Sequence, residues 1–146
     1  MLIRRAEAGE AAKAHELVER AYAKYVDRIG RRPSPMDDDY DLRAAQGQLY
    51  VADEGGIVGV LVLVDEPDHL LIENVAVDPG RQGTGLGRML LEFAETYARE
   101  HGFDEIRLYT HELMTENRRL YPYLGYRDEG HHVGDGFPRV HFSKQI

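Results

Sequence analysis

The run Gln82-Gly83-Thr84-Gly85-Leu86-Gly87 lies between an apolar stretch ending at Val77-Asp78-Pro79 and an amphipathic segment beginning at Leu86. A strand, a glycine turn and a helix in that order leave the first amide N–H groups of the helix without partners and aim the positive end of its dipole at the turn. Glycines at 83, 85 and 87 remove side chains that would hold an anion off the backbone, and they permit positive φ where the turn needs it. Arg81 and Arg88 flank the loop and add charge. The chain must therefore fold with this turn open at the end of a strand, as a cradle for a phosphate-like group.

The surrounding periodicities place the other elements. Leu2 to Arg5 reads as a short strand, and Ala14, Leu17, Val18, Ala21, Tyr22, Tyr25, Val26 and Ile29 form an uninterrupted helical stripe that Gly30 stops. Arg31 to Pro35 cannot be helical and reads as a loop, after which Asp37 to Gln46 predicts a short helix with acidic residues in its first turn. Gln48 to Asp53 and Ile57 to Asp65 predict a hairpin through Glu54-Gly55-Gly56, followed by a central strand from His69 to Val77 that is apolar apart from Glu73 and Asn74. The helix after the loop carries Leu86, Met89, Leu90, Phe93, Ala94, Tyr97 and Ala98 on one face and is closed by Gly102. A strand at Glu105 to Tyr109, a short helix near Asn117 to Leu124, and strands near Tyr126 to Val133 and Arg139 to Phe142 complete the chain. The order is a mostly antiparallel meander interrupted by helices, with a strand-helix-strand crossover.

Bulk properties exclude several classes of function. A length of 146 residues suits one domain over 1–146, and a formal net charge of -8 argues against a nucleic-acid footprint while suiting a cationic partner such as an amine. The absence of cysteine removes a disulfide framework, a thiolate metal site and a cysteine nucleophile, so no covalent acyl-cysteine route is expected. The N-terminus turns polar before an apolar signal core forms, and the longest near-apolar run, Ile57 to Val64, is far below membrane-spanning length. The expectation is a cytoplasmic protein with no membrane partner and no metal; a homodimer is left open.

Glycine loops before helices also bind nucleotides, but here the loop lacks a Gly-Lys-Ser/Thr ending and follows the fourth strand of a meander rather than the first strand of a parallel sheet. At this point the chain resembles the GNAT superfamily of N-acetyltransferases. The loop fits that family's Gln/Arg-x-x-Gly-x-Gly/Ala pattern, Val75 to Pro79 is similar to the strand end before it, and Asn117-Arg118-Arg119-Leu120-Tyr121-Pro122-Tyr123-Leu124-Gly125-Tyr126 looks like its later motif. Pro122 departs from the pattern, since a helix former is usual there, and an irregular helix end is expected. The resemblance implies an α+β (α/β) GNAT-like acyl-CoA N-acyltransferase fold, a mixed and mostly antiparallel sheet of about six to seven strands flanked by about four helices. It also implies acetyl-CoA as cosubstrate and direct transfer to an amine in a ternary complex. A non-catalytic acyl-CoA sensor of the same fold is the alternative.

Acetyl transfer from a thioester to an amine needs a neutral nitrogen, a polarised carbonyl and a proton for the thiolate. The resemblance implies that the pantetheine arm pairs with the backbone near Val75 and Val77, with Gln82, Gly83, Thr84, Gly85, Leu86, Gly87 and Arg88 around the pyrophosphate. Tyr121 falls on the family's general-acid position; a core aromatic is the plainer reading. Asn117 would either hydrogen-bond the pantetheine or cap its helix. Glu73, a carboxylate inside an apolar strand, is the leading base, against a Glu salt-bridged across the sheet, with His111 or a water chain as other routes. The resemblance places the amine near Tyr25, Met36, Tyr40 and the Asp37-Asp38-Asp39 cluster, although aspartates at a helix start are ordinary capping residues. His131 and His132 point to opposite strand faces and read as structural, and Arg118-Arg119 is either a 3′-phosphate contact or a solvated face.

Overall fold

The computed structural model describes residues 1–146. Strands β1 (Leu2–Arg5), β2 (Leu49–Asp53), β3 (Ile57–Asp65), β4 (Leu70–Val77), β5 (Glu105–His111), β6 (Arg127–Gly134) and β7 (Phe137–Gln145) form one sheet in the order β1-β2-β3-β4-β5-β7-β6. Every neighbouring pair is antiparallel except β4 and β5, which are joined by the crossover helix α3 (Leu86–Glu100). Helices α1 (Ala11–Ile29) and α2 (Tyr40–Ala45) follow β1, and α4 (Thr115–Tyr123) follows β5. The α+β class, the seven strands and the four helices agree with the sequence reading.

Alternation along the strands feeds two cores, one on each face of the sheet. Leu61, Leu63, Leu70, Ile72, Ile106, Leu108 and Phe142 pack with Leu90, Leu91 and Ala94 of α3. Val51, Val60, Val62 and Ala76 pack on the other face with Ala14, Leu17, Val18 and Ala21 of α1. Gly30 ends α1 at φ 83°, the left-handed conformation that only glycine adopts without a Cβ clash, and its N–H caps the carbonyl of Val26.

Two irregularities in β4 open the sheet. Val62 faces Asn74 while Leu63 faces Ile72, so Glu73 is the extra residue of a β-bulge. Its insertion exchanges the faces: Leu70 and Ile72 point into the α3 core, whereas beyond the bulge Ala76 points into the α1 core. The second irregularity is that β4 pairs with β5 only over Leu70–Ile72. Glu73 to Val77 thus have no strand neighbour on the β5 side, and the two strands diverge there.

Two local expectations are corrected and one holds. The helix read over Asp37 to Gln46 divides into a 3-10 turn, Ser34–Asp37, and α2, because Asp38 is extended (φ -70°, ψ 154°) and Asp39 caps α2 by accepting from the Leu42 amide at 3.0 Å. The end of α4 at Pro122 is irregular as expected: the helix runs on to Tyr123, and the Leu124 N–H is shared among the carbonyls of Leu120, Tyr121 and Pro122. Strand β7 is longer than Arg139 to Phe142, running from Phe137 to Gln145 because both its edges are paired, with β5 and β6.

Candidate active site at the split in the sheet

The split holds two clefts. The first lies between the glycine loop, α1 and α4, encloses about 1200 Å³ open to solvent, and is lined by Tyr22, Lys24, Tyr25, Val75, Val77, Arg81, Gln82, Gly83, Gly85, Gly87, Arg88 and Glu116 among others. Gly83 and Gly85 have φ of +79° and +87°, and a Cβ added at either would meet nothing within 4 Å. Open space over a left-handed glycine backbone, leading into the unpartnered amides of the first turn of α3, fits a pyrophosphate. Leu86 buries its side chain in the α3 core, and Thr84 turns its hydroxyl onto the carbonyl of Arg81, so neither side chain lines the cleft. Arg81 pairs with Glu54 at 2.6 Å and Arg88 with Glu92 at 3.4 Å; both pairs are exposed and exchangeable for a stronger anion. Arg118 instead donates to the Glu112 carbonyl, and neither it nor Arg119 lines this cleft.

The second cleft, about 540 Å³, lies on the far side of the split and is lined by Glu73, Asn74, Tyr109, Thr110, His111, Phe137 and Arg139, with Pro33 to Pro35 along one wall. Tyr22, Val75, Asn117 and Tyr121 line both clefts, so the two meet at these four residues. A long molecule in the first can thus reach one held in the second.

Each junction residue is set by its own packing. Tyr22 donates to Asn74 Oδ1 at 2.7 Å, and Asn74 Nδ2 donates to Tyr40 at 3.1 Å, an arrangement that ties α1 and α2 to β4 beyond the bulge. Asn117 lies inside α4, whose N-cap is Met114, and donates to Thr110 Oγ1 at 3.2 Å; the capping alternative is therefore overturned. Tyr121 packs edge-on against Tyr126 at 5.8 Å and tilted against Phe142 at 5.5 Å. Its ring is a core aromatic, yet its hydroxyl bonds to no protein group. The only sealed side-chain polar atom without a partner is the Tyr126 hydroxyl, so the Tyr121 hydroxyl opens into the clefts. Burial raises the Tyr121 pKa and keeps the phenol protonated.

Glu73 accepts a short hydrogen bond from Tyr109 and is not salt-bridged. Burial pushes its carboxyl above the ordinary value, against the opposing pull of the Tyr109 hydrogen bond and of the Arg43 charge. His111 accepts the Leu113 amide on Nδ1 at 3.0 Å, which puts the proton of the neutral ring on Nε2. Burial lowers its pKa. Neutral His111 thus has an N–H to donate, while Glu73 offers a carboxylate that can accept a proton.

Tyr25 lines the first cleft and donates to Glu116 at 3.0 Å, while burial lifts its pKa to about 12. Met36 and Tyr40 are buried in the α1 core and line neither cleft. The aspartate cluster is already partnered: Asp37 with Arg32 at 2.9 Å, Asp38 with Arg43 at 2.9 Å, and Asp39 as the α2 cap. His131 and His132 are exposed on β6, and no group of three metal-ligating side chains occurs. No helix is long and apolar enough to cross a membrane. Sequence reasoning missed Tyr22, Asn74, Tyr109 and Arg139; their convergence depends on register and carries no local signal.

Comparisons with known proteins agree with this geometry. The N-alpha-acetyltransferase 80 of Mus musculus is 38% identical over 65 residues, 44% of this chain and 19% of that protein. The mycothiol acetyltransferase of Beutenbergia cavernae is 32% identical over 109 residues, 67% of this chain and 37% of that protein. The chain spans less than half the length of these curated relatives. Among solved structures, the PaiA N-acetyltransferase from Thermoplasma acidophilum, in complex with coenzyme A, superposes with a TM-score of 0.84 at 16% identity, covering 99% of this chain and 98% of that one. The ribosomal-protein-S18-alanine N-acetyltransferase from Escherichia coli gives 0.77 at 20% identity, covering 99% and 93%. At such identities the structural likeness speaks for the fold. The sequence itself matches the model of the acetyltransferase (GNAT) family over residues 12–126, and with a glycine cradle opening into a split sheet the chain belongs to that family.

Proposed function

We propose that the chain is an N-acetyltransferase that moves an acetyl group from acetyl-CoA directly to a primary amine, both substrates being held at once. The observation that carries this reading is the meeting of the two clefts at Tyr22, Val75, Asn117 and Tyr121. Acetyl-CoA supplies the activated thioester. The glycine loop, the first turn of α3 and Arg88 would hold its phosphates, and the unpaired edge from Val75 to Val77 would receive the pantetheine arm as an added strand. Asn117 would steady that arm from α4.

Glu73 takes the proton from the ammonium form of the acceptor, because a carboxyl raised by burial is a stronger base than a solvated one. Tyr121 gives its proton to the departing thiolate, whose basicity a phenol matches within a few units. Pro33 to Pro35 and Phe137 wall the cleft on the acceptor side. Incubation with acetyl-CoA and a panel of amines, followed by free-thiol release, tests the reading. Tight CoA binding with no thiol release for any amine would favour a non-catalytic acyl-CoA sensor instead.

A further inference from the structure

Arg139 of β7 is a charged side chain that the proposed transfer does not use. It is 8% exposed and lines the acceptor cleft. Its guanidinium lies over the Tyr109 ring at 4.1 Å. Only Nη2 has partners, Ser34 Oγ at 3.3 Å and Asp135 Oδ2 at 3.4 Å, both long, and the Asp135 side chain is 82% exposed. Nε and Nη1 donate to nothing in the protein, and neither is wholly sealed from solvent.

A guanidinium brings five N–H donors in a planar fork that matches a carboxylate, and burying it with most of them unpaired is costly unless a ligand completes the set. A second donor lines the same cleft: His111, the register partner of Arg139 on β5, has an Nε2–H whose tautomer the Leu113 amide fixes and which has no protein acceptor. Two incompletely paired donors lining one cleft describe a receptor for an anion.

Tyr109 relates this receptor to the base. Its hydroxyl donates to Glu73 while the face of its ring carries Arg139, so the groups that suit an ammonium and a carboxylate are held by one phenol, side by side in one cleft. We infer that the acceptor is a small amino-carboxylate, a primary amine whose carboxylate is held by Arg139 and His111 while its nitrogen sits at Glu73 and the junction of the clefts. This rests on the transferase reading and names its acceptor class.

The experiment compares matched pairs, each amino acid against its decarboxylated amine, as acceptors for acetyl-CoA with free-thiol release as readout. The expected result is a kcat/KM at least roughly tenfold higher for one or more amino acids than for the paired amine, with the difference largely in KM. Arg139→Gln should collapse that preference toward unity by weakening the amino acid alone, leaving the KM for acetyl-CoA in place. Gly134→Ala is an independent variant, because a Cβ there would collide with Arg139 Nη1 and displace the guanidinium. It should also reduce the preference. Asp135→Ala removes the competing carboxylate and should lower the KM for the amino acid. Turnover of decarboxylated amines equal to or better than their amino acids in the unaltered protein would overturn the inference while leaving the transferase reading intact. Turnover of neither, with CoA bound, would overturn both.

Discussion

Tyr109 of β5 donates a hydrogen bond to the Glu73 carboxylate of β4 at the point where the two strands stop pairing. The last backbone pair is Ile72 with Leu108, and the next residues face each other through side chains instead. The bulge at Glu73 and the split beside it thus set a half-buried carboxylate in the wall of the second cleft and stabilise its charged form with a phenol.

With Glu73 as the proposed base, its carboxyl should set the acid limb of the pH profile. Burial raises its pKa and the Tyr109 hydrogen bond lowers it, so Tyr109→Phe should raise it further. A base is active when deprotonated, so kcat/KM rises with pH through this pKa, and the limb should move to higher pH in the variant. Glu73→Gln should abolish the limb and lower kcat by about 10²-fold. Steady-state rates across the pH range check both.

Tyr121→Phe removes only a hydroxyl that no protein group uses, so the core should tolerate it. Turnover should fall by roughly 10²- to 10⁴-fold with CoA affinity nearly unchanged. Calorimetric titration with CoA beside a rate assay separates the two effects. A large loss of CoA affinity would contradict the proton-donor role.

Gly85→Leu should do the opposite. Its φ of +87° costs a non-glycine residue about 1–2 kcal/mol, and the side chain would stand in the space the cradle keeps clear. CoA binding should be abolished while circular dichroism shows a folded protein. Retained affinity would place the phosphate site elsewhere.

Gly59→Val tests the α3 core. A Cβ at Gly59 would lie 3.1 Å from Leu90 Cδ1 and 3.2 Å from the Ala52 Cβ, so two further methyl groups overpack the seam between β3 and α3. The expected loss is about 1–3 kcal/mol in denaturant unfolding, at unchanged m-value.

The fold and part of the candidate site were legible because their signals are local. Helical spacing marked α1 and α3, and the glycine loop and the block around Tyr121 each lie within ten residues or so of chain, where spacing alone decides geometry. Glu73 stood out as a charge in an apolar strand. Its bulge did not, since the extra residue exists only in register with Val62 and Leu63. Tyr22 reaches Asn74 across 52 residues and Tyr109 reaches Glu73 across 36, contacts that no periodicity announces. Met36 and Tyr40 were misplaced because the turn at Ser34–Asp37 folds that segment onto α1, and the aspartates beside it are occupied by arginines and a helix cap.

Transfer in a ternary complex is tested most directly by varying acetyl-CoA and an accepted amine together while quantifying both free thiol and acetylated product by mass spectrometry. Intersecting double-reciprocal lines, one acetylated amine per thiol, and no acetylated protein are the expected result. Parallel lines with an acetylated enzyme, or thiol release without acetylated amine, would contradict direct transfer between the joined clefts.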